Sequence, residues 1–219
     1  MIAVTYADAH YSNAAKDKRT ELLNLGFDHR HFDEEFLRNS DFLMAHCDIM
    51  GRLPNSGCVW KPYIIKRVME YSNENDIIVY TDCGDILLDG IQEVIKDWLK
   101  DKNFFFVETP HSHRQFTKKY LFKAMGCMEQ KYLDARQLDA GLVAFRLCPE
   151  TVMFVDNWEQ LCYNPDFILD YSIGDEWPDL IRHSRDQSIL TNLQLMFDIP
   201  TIHVLNLIYR FVRFNVRSN

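Results

Sequence analysis

One segment limits the folds open to this chain: Asp76-Ile77-Ile78-Val79-Tyr80-Thr81-Asp82-Cys83-Gly84-Asp85. Its apolar and β-branched run reads as a buried strand over Asp76–Thr81. The run ends abruptly in two carboxylates flanking a glycine. Carboxylates at the C-terminal edge of a buried strand stand where open α/β sheets place their ligands. Their oxygens suit a hard divalent cation, Mg²⁺ or Mn²⁺, and such a cation would hold a phosphate. The bland alternative is a helix N-cap beside a solvated loop carboxylate. Cys83-Gly84 adds weight to the first reading, because it lets a ligand approach the backbone closely. On local sequence alone the two readings weigh the same.

Strand-like and helix-like segments alternate around this one. Ile2–Tyr6 is a first strand, and Ser12 or Asn13 caps a helix running to Leu25 with Gly26 as its stop. Phe27–Phe32 reads as a short strand. Asp41–Met50 reads as a helix ended by Gly51, and the loop Arg52–Cys58 carries Pro54 and Gly57. Trp60–Tyr71 is a helix opened by Lys61-Pro62, since proline is tolerated in a first turn. Ile91, Val94, Ile95, Trp98 and Leu99 fall on one helical face, which makes Trp98 a core residue. Asn103–Glu108 is a strand stopped by Thr109-Pro110, and Phe116–Met125 a helix. Leu142–Leu147 is a strand preceded by Asp139-Ala140-Gly141. Glu150–Leu161 and Gln187–Phe197 are helices, and Thr201–Leu205 is a late strand. This alternation predicts an α/β fold with a central, mostly parallel sheet flanked by helices.

The 219 residues suffice for one substantial core, so 1–219 is read as a single domain, either alone or as part of a longer protein. A net charge of -8 argues against broad nucleic-acid binding. An acidic chain that handles phosphates needs a metal or a few placed cations to offset repulsion. The six cysteines contain no C-x-x-C pair, which argues against a zinc ribbon or redox dithiol. Met1 leads directly into a strand-like run without a basic leader, and no apolar run reaches the length of a membrane span. The expected location is cytoplasmic, or the host cytoplasm for a viral protein.

Several residues could carry chemistry. Lys61 opens a helix, where the helix dipole disfavours a cation unless an anion sits there. It is therefore a phosphate candidate, weighed against a solvated surface lysine. Trp60 and Tyr63 are read as packing residues. Thr5-Tyr6-Ala7-Asp8 ends the first strand at the same sheet edge, where α/β nucleotide binders meet the nucleoside. G-x-G-x-x-G and Walker A loops are both missing, which argues against an NAD enzyme or a P-loop ATPase. An aspartate-nucleophile phosphatase needs an acid two residues after its nucleophile, and position 84 is glycine. Asp186, near a first helical turn beside Arg185, is either a dipole-favoured carboxylate or a general base. His29/His31 and His111/His113 lack a nearby third ligand, which argues against dedicated zinc sites. His203 is read as a core histidine or as a third metal ligand.

Together these segments resemble GT-A-type glycosyltransferases. The resemblance rests on Thr5-Tyr6-Ala7-Asp8, Trp60-Lys61-Pro62-Tyr63-Ile64-Ile65, Val79-Tyr80-Thr81-Asp82-Cys83-Gly84-Asp85, and Leu138-Asp139-Ala140-Gly141 with Arg185-Asp186-Gln187-Ser188. It is nearest to the small glycosyltransferases of bacterial surface polysaccharides and of chlorovirus capsid glycans. It implies a UDP-sugar donor, a glycan or oligosaccharide acceptor, and Mn²⁺ or Mg²⁺ on the diphosphate. Thr5, Tyr6, Ala7, Asp8 and Tyr11 would then meet the uridine, and Lys61 the phosphate or ribose. Asp82 and Asp85 would hold the metal, with His203 added from the residue reading as a third ligand or phosphate donor, while Asp139, Ala140, Gly141 and Gln187 would lie by the donor sugar. Asp186 would be the base of an inverting transfer. The usual motif is D-x-D, whereas here the second carboxylate comes three residues on, so the metal assignment rests first on Asp82. A non-catalytic nucleotide-sugar binding module and a metal-dependent phosphohydrolase of nucleotide sugars are the competing readings.

Overall fold

The computed structural model describes residues 1–42, 58–207 and 210–214. The strands are β1 (Ile2–Ala7), β2 (Asp28–Asp33), β3 (Ile77–Thr81), β4 (Ile86–Leu87), β5 (Phe104–Ser112), β6 (Arg136–Arg146), β7 (Ile202–His203) and β8 (Val212–Arg213). Six of them form one sheet in the order β2-β1-β3-β6-β5-β7, and β4 pairs with β8 in a separate two-stranded sheet. β1 is parallel to β2 and β3, and β7 is parallel to β5. Only β6 runs against its neighbours in the large sheet.

Alternation along the strands supplies two apolar faces. Ile78, Tyr80, Phe104, Phe106, Val143 and Phe145 point into one cluster, while Val79, Phe105, Val107, Leu142 and Ala144 point into the other. The first face is covered by α3 (Trp60–Glu70), α7 (Pro149–Cys162) and α9 (Arg185–Met196). The second is covered by α1 (Ser12–Asn24) and α4 (Ile91–Trp98). The remaining described helices are short: α2 (Glu34–Arg38), α5 (Lys119–Ala124), α6 (Gln130–Leu133) and α8 (Pro165–Ile168). Gly26 adopts φ +81 beyond the end of α1, the left-handed stop expected there.

Several boundaries differ from expectation. β5 continues past Thr109-Pro110 to Ser112, because the pairing with β6 is irregular between Glu108 and Ser112, and an irregular ladder tolerates a proline. β6 begins at Arg136, so Asp139-Ala140-Gly141 lies within the strand rather than before it. Phe116–Met125 divides into a 3₁₀ turn, Arg114–Phe116, and the helix α5. The late strand shortens to Ile202–His203 and passes into a 3₁₀ turn, Val204–Asn206. Most of the expected helix Asp41–Met50 and loop Arg52–Cys58 lies outside the described residues. No described helix is long and apolar enough to cross a membrane.

Two histidines are built into the interior. His183 Nε2–H donates to Phe167 O at 2.6 Å, and its Nδ1 accepts from Lys118 N at 3.4 Å. That arrangement fits only the neutral ring. Burial lowers its pKa to about 3 and that of His113 to about 4. A folded-state value below the unfolded one means that their stabilisation is complete above pH 6.5 and is lost as pH falls through the folded values. The ring resonances of His113 and His183 should therefore not titrate between pH 7.5 and 5 by NMR. A midpoint near 6.5 for either would contradict this burial.

Candidate active site

β3 ends at Thr81, and the chain turns at once. Asp85 N donates to Asp82 O at 3.2 Å, closing a four-residue turn over Asp82-Cys83-Gly84-Asp85. A turn of this kind folds residue i+3 back towards residue i, so the three-residue spacing still places two carboxylates side by side. Lys18 of α1 steadies the turn from the opposite sheet face. Its buried Nζ donates to Asp85 O at 2.9 Å and to Glu21 Oε1 at 2.8 Å.

The antiparallel β6 brings the next group to the same edge. Thr81 pairs with Leu142, and Asp82 N donates to Gly141 O at 2.8 Å. On its other side Phe106 pairs with Val143 but Val107 with Asp139, so Ala140, Gly141 and Leu142 bulge from the β5 ladder. Bulges re-aim side chains and recur beside active sites. Here the bulge presents Asp139-Ala140-Gly141 to the β3 turn.

A methyl group built on Gly141 would lie 2.9 Å from Asp139 Oδ1 and 3.0 Å from both Asp82 Oδ2 and Asp85 Oδ2. Three carboxylates thus surround the space where a side chain is missing. The oxygens are not drawn in to coordination distance, and no ready-made metal-ligand cluster stands among the described residues. The donor chemistry nevertheless fits a hard cation: three carboxylate oxygens around one small cradle.

Lys61 enters from the first turn of α3 and is almost fully buried. Its Nζ donates to Ala140 O at 2.9 Å and faces Asp82 Oδ1 at 3.4 Å and Asp186 Oδ2 at 3.6 Å. Burial opposes its charge, but Asp82 and Asp186 outweigh that penalty and raise its pKa. It is therefore neither a solvated lysine nor an amine projecting freely into the cleft. Tyr80 Oη donates to Asp82 Oδ1 at 2.5 Å, leaving Oδ2 for the cradle, and the Asp82 side chain remains 40% exposed.

Asp186, in the first turn of α9, is only 5% exposed. Its Oδ2 lacks a hydrogen-bond partner, and Trp158 Nε1 in the core donates to its backbone carbonyl at 3.0 Å. Burial, opposed by Lys61 and reinforced by Asp82, raises its carboxyl pKa to about 6. Burial also raises Asp139 to about 6, against the hydrogen bond from Gly141 N. Gln187 Oε1 accepts from Ala140 N at 3.4 Å and links α9 to the bulge.

Tyr6, Ala7, Asp8 and Tyr11 line a cavity of ≈ 110 Å³ together with Trp60, Tyr80 and Asp82. Tyr6 stacks on Trp60 with ring centroids 3.8 Å apart, forming an apolar wall. Asp8 caps the following 3₁₀ turn by accepting from Tyr11 N. Thr5 does not join them: its buried hydroxyl bonds to His29 and His31 on β2. His203 does not join the carboxylates either. It lies on β7 with Nδ1 accepting from Leu205 N, and β5 separates it from β6. Two strand spacings of about 4.8 Å stand between those backbones. A larger cavity, ≈ 730 Å³, lies between α1 and β2 and shares Ala7 and Asp8 with the smaller one. It contains none of the clustered carboxylates, whereas the smaller cavity is lined by Asp82.

Sequence reasoning missed Tyr80 and Lys18. Tyr80 carried a signal, since residues two apart on a strand share a face with Asp82. Lys18 carried none, because its partner lies 67 residues away.

With this geometry in hand, comparison with solved structures identifies the architecture as the GT-A fold of glycosyltransferases. A glycosyltransferase involved in glycosylation of the major capsid of PBCV-1 superposes with a TM-score of 0.52 at 7% identity, covering 92% of this chain and 80% of that one. The apo bifunctional glycosyltransferase WbbM gives 0.48 at 11% identity, with 88% of this chain aligned to only 37% of that protein. The galactosyltransferase LgtC, in complex with donor and acceptor sugar analogues, gives 0.48 at 14% identity over 93% and 73% of the two chains. No family model and no curated protein matches the sequence.

Removing the amine from Lys61 should leave Asp82 and Asp186 facing one another without a cation. Lys61→Met should therefore cost about 3–5 kcal/mol in urea unfolding, as expected for breaking a buried charge pair. A loss below about 1 kcal/mol would contradict a structural role for Lys61.

Proposed function

We propose that the protein is a metal-dependent glycosyltransferase of the hexosyltransferase type, moving a sugar from a UDP-sugar to a glycan hydroxyl with inversion. The observation that carries this reading is the meeting of Asp82, Asp85 and Asp139 at the side-chain-free Gly141. The GT-A fold supports it in general terms. Three carboxylates at such separations repel one another unless a cation stands among them. In this reading they hold Mn²⁺ or Mg²⁺, whose chemistry when bound is to offset the charge gathering on departing UDP.

The remaining roles follow from position. The cavity of Tyr6, Ala7, Asp8 and Tyr11 takes the uridine, with the Tyr6–Trp60 stack as its apolar wall. Asp139, Ala140, Gly141 and Gln187 border the donor sugar. Lys61 holds Asp82 and Asp186 in register rather than gripping phosphate directly. In the transfer, the acceptor oxygen attacks the anomeric carbon. The bond from that carbon to the diphosphate oxygen breaks, its electron pair leaves with UDP, and the acceptor proton passes to Asp186 Oδ2. A carboxylate raised to about 6 is a stronger base than an ordinary aspartate and is still ionised at neutral pH.

Calorimetry with UDP and Mn²⁺, together with turnover assays, tests the assignments one by one. Asp82→Asn should abolish metal-dependent UDP binding. Asp186→Asn should keep that binding and lower turnover by about 10²-fold or more. Gly141→Ala should weaken metal-dependent binding with little effect on folding, because its methyl group would occupy the cradle. Normal UDP–Mn²⁺ binding by Asp82→Asn would overturn the central assignment. UDP release that needs no acceptor would favour a phosphohydrolase, and binding without turnover a non-catalytic module.

A further inference from the structure

A third cavity, of ≈ 570 Å³, is lined by Asp186. It shares Cys58 with the ≈ 110 Å³ cavity, and its lining includes Ser184, Arg185, Asp186 and Gln187. Three consecutive side chains there each hold a buried polar atom without a hydrogen-bond partner: Ser184 Oγ, Arg185 Nε and Asp186 Oδ2, the last facing Lys61 Nζ as an ion pair at 3.6 Å. Leaving such atoms unsatisfied is costly, so each calls for a partner from water, an ion or a ligand.

The backbone at this place is strained as well. Four non-glycine residues among those described have positive φ: Cys58, Asn75, Arg185 and Asp198. Asn and Asp tolerate that region, so only Cys58 and Arg185 pay its full cost. Both line this cavity. Strain of this kind persists where the surroundings enforce it, and it concentrates at functional sites. Arg185 is held by Asp170, which accepts from its Nη2 at 2.8 Å and leaves Nε–H uncommitted.

We propose that the Ser184–Arg185–Asp186 turn is the acceptor-recognition element, and that it reads a vicinal diol of a neutral saccharide. This rests on the glycosyltransferase reading and specifies its acceptor. The argument is one of complementarity. Asp186 Oδ2 only accepts, Arg185 Nε only donates, and Ser184 Oγ does either. An anionic ligand satisfies Arg185 but is repelled by Asp186, and a cationic one does the reverse. Neighbouring hydroxyls both donate and accept, so one diol can serve all three. The charges agree: Lys118, Arg182 and Arg185 on the lining match Asp170, Glu176 and Asp186 in number, so the lining carries no formal net charge to favour an ion of either sign.

Saturation-transfer NMR on the full chain, with neutral methyl hexopyranosides and the matching methyl glucuronide as probes, tests this directly. At least one neutral glycoside should receive saturation, and its uronide should bind more weakly. Arg185→Lys and Ser184→Ala should each weaken the neutral glycoside at least fivefold while leaving UDP–Mn²⁺ affinity within twofold. Arg185→Gly suits the left-handed backbone, so it should fold at least as stably as the wild type and yet lose the glycoside. Absence of saturation transfer to every neutral glycoside, tighter binding of the uronide, or unchanged binding by these variants would each overturn the proposal. A wild-type chain that binds the glycoside but no UDP–Mn²⁺ would instead overturn the donor reading, while leaving diol recognition by this turn standing.

Discussion

Four carboxylates crowd one edge of the sheet, and one buried amine keeps two of them in place. Asp82 and Asp186 arrive from distant parts of the sequence and meet across Lys61 Nζ. The same amine binds Ala140 O, so the β6 bulge is tied to the same centre. Without that cation, α9 would hold the buried Asp186 carboxylate against Asp82 of the β3 turn with nothing to offset it. The helix dipole disfavours a lysine in the first turn of α3, and this cluster of acids supplies the compensating field.

Lys61 can balance only part of the negative charge it faces. Asp85 and Asp139 add two further carboxylates on the Gly141 side, and Asp139 also feels the charge of the amine. Gly141 makes this arrangement sterically feasible. Its role is absence of bulk rather than backbone freedom, since any side chain would collide with three carboxylate oxygens.

Much of the fold was legible in the sequence, and the reasons are physical. Periodicity located β1, β3, α1, α3, α4 and α7 because each buries one face or two against the same sheet. β6 was read short, since the bulge at Ala140–Leu142 breaks the alternation that marks a strand. Asp82 could be singled out from its place at a strand end. The burial of Lys61 could not, because it depends on a carbonyl 79 residues away. The spacing of Asp85 looked like a departure from a D-x-D pair until the Asp82–Asp85 turn folded it back. His203 was drawn towards the metal by type alone, and topology puts it on an outer strand.

The central claim is that the Gly141 cradle holds the cation that carries the nucleotide. Crystals grown with UDP and Mn²⁺, measured at an energy where manganese scatters anomalously, test it most directly. The account expects one strong anomalous peak bounded by Asp82, Asp85 and Asp139, with diphosphate density against it. A peak elsewhere, or diphosphate bound in the cleft with no anomalous scatterer beside those carboxylates, would contradict it.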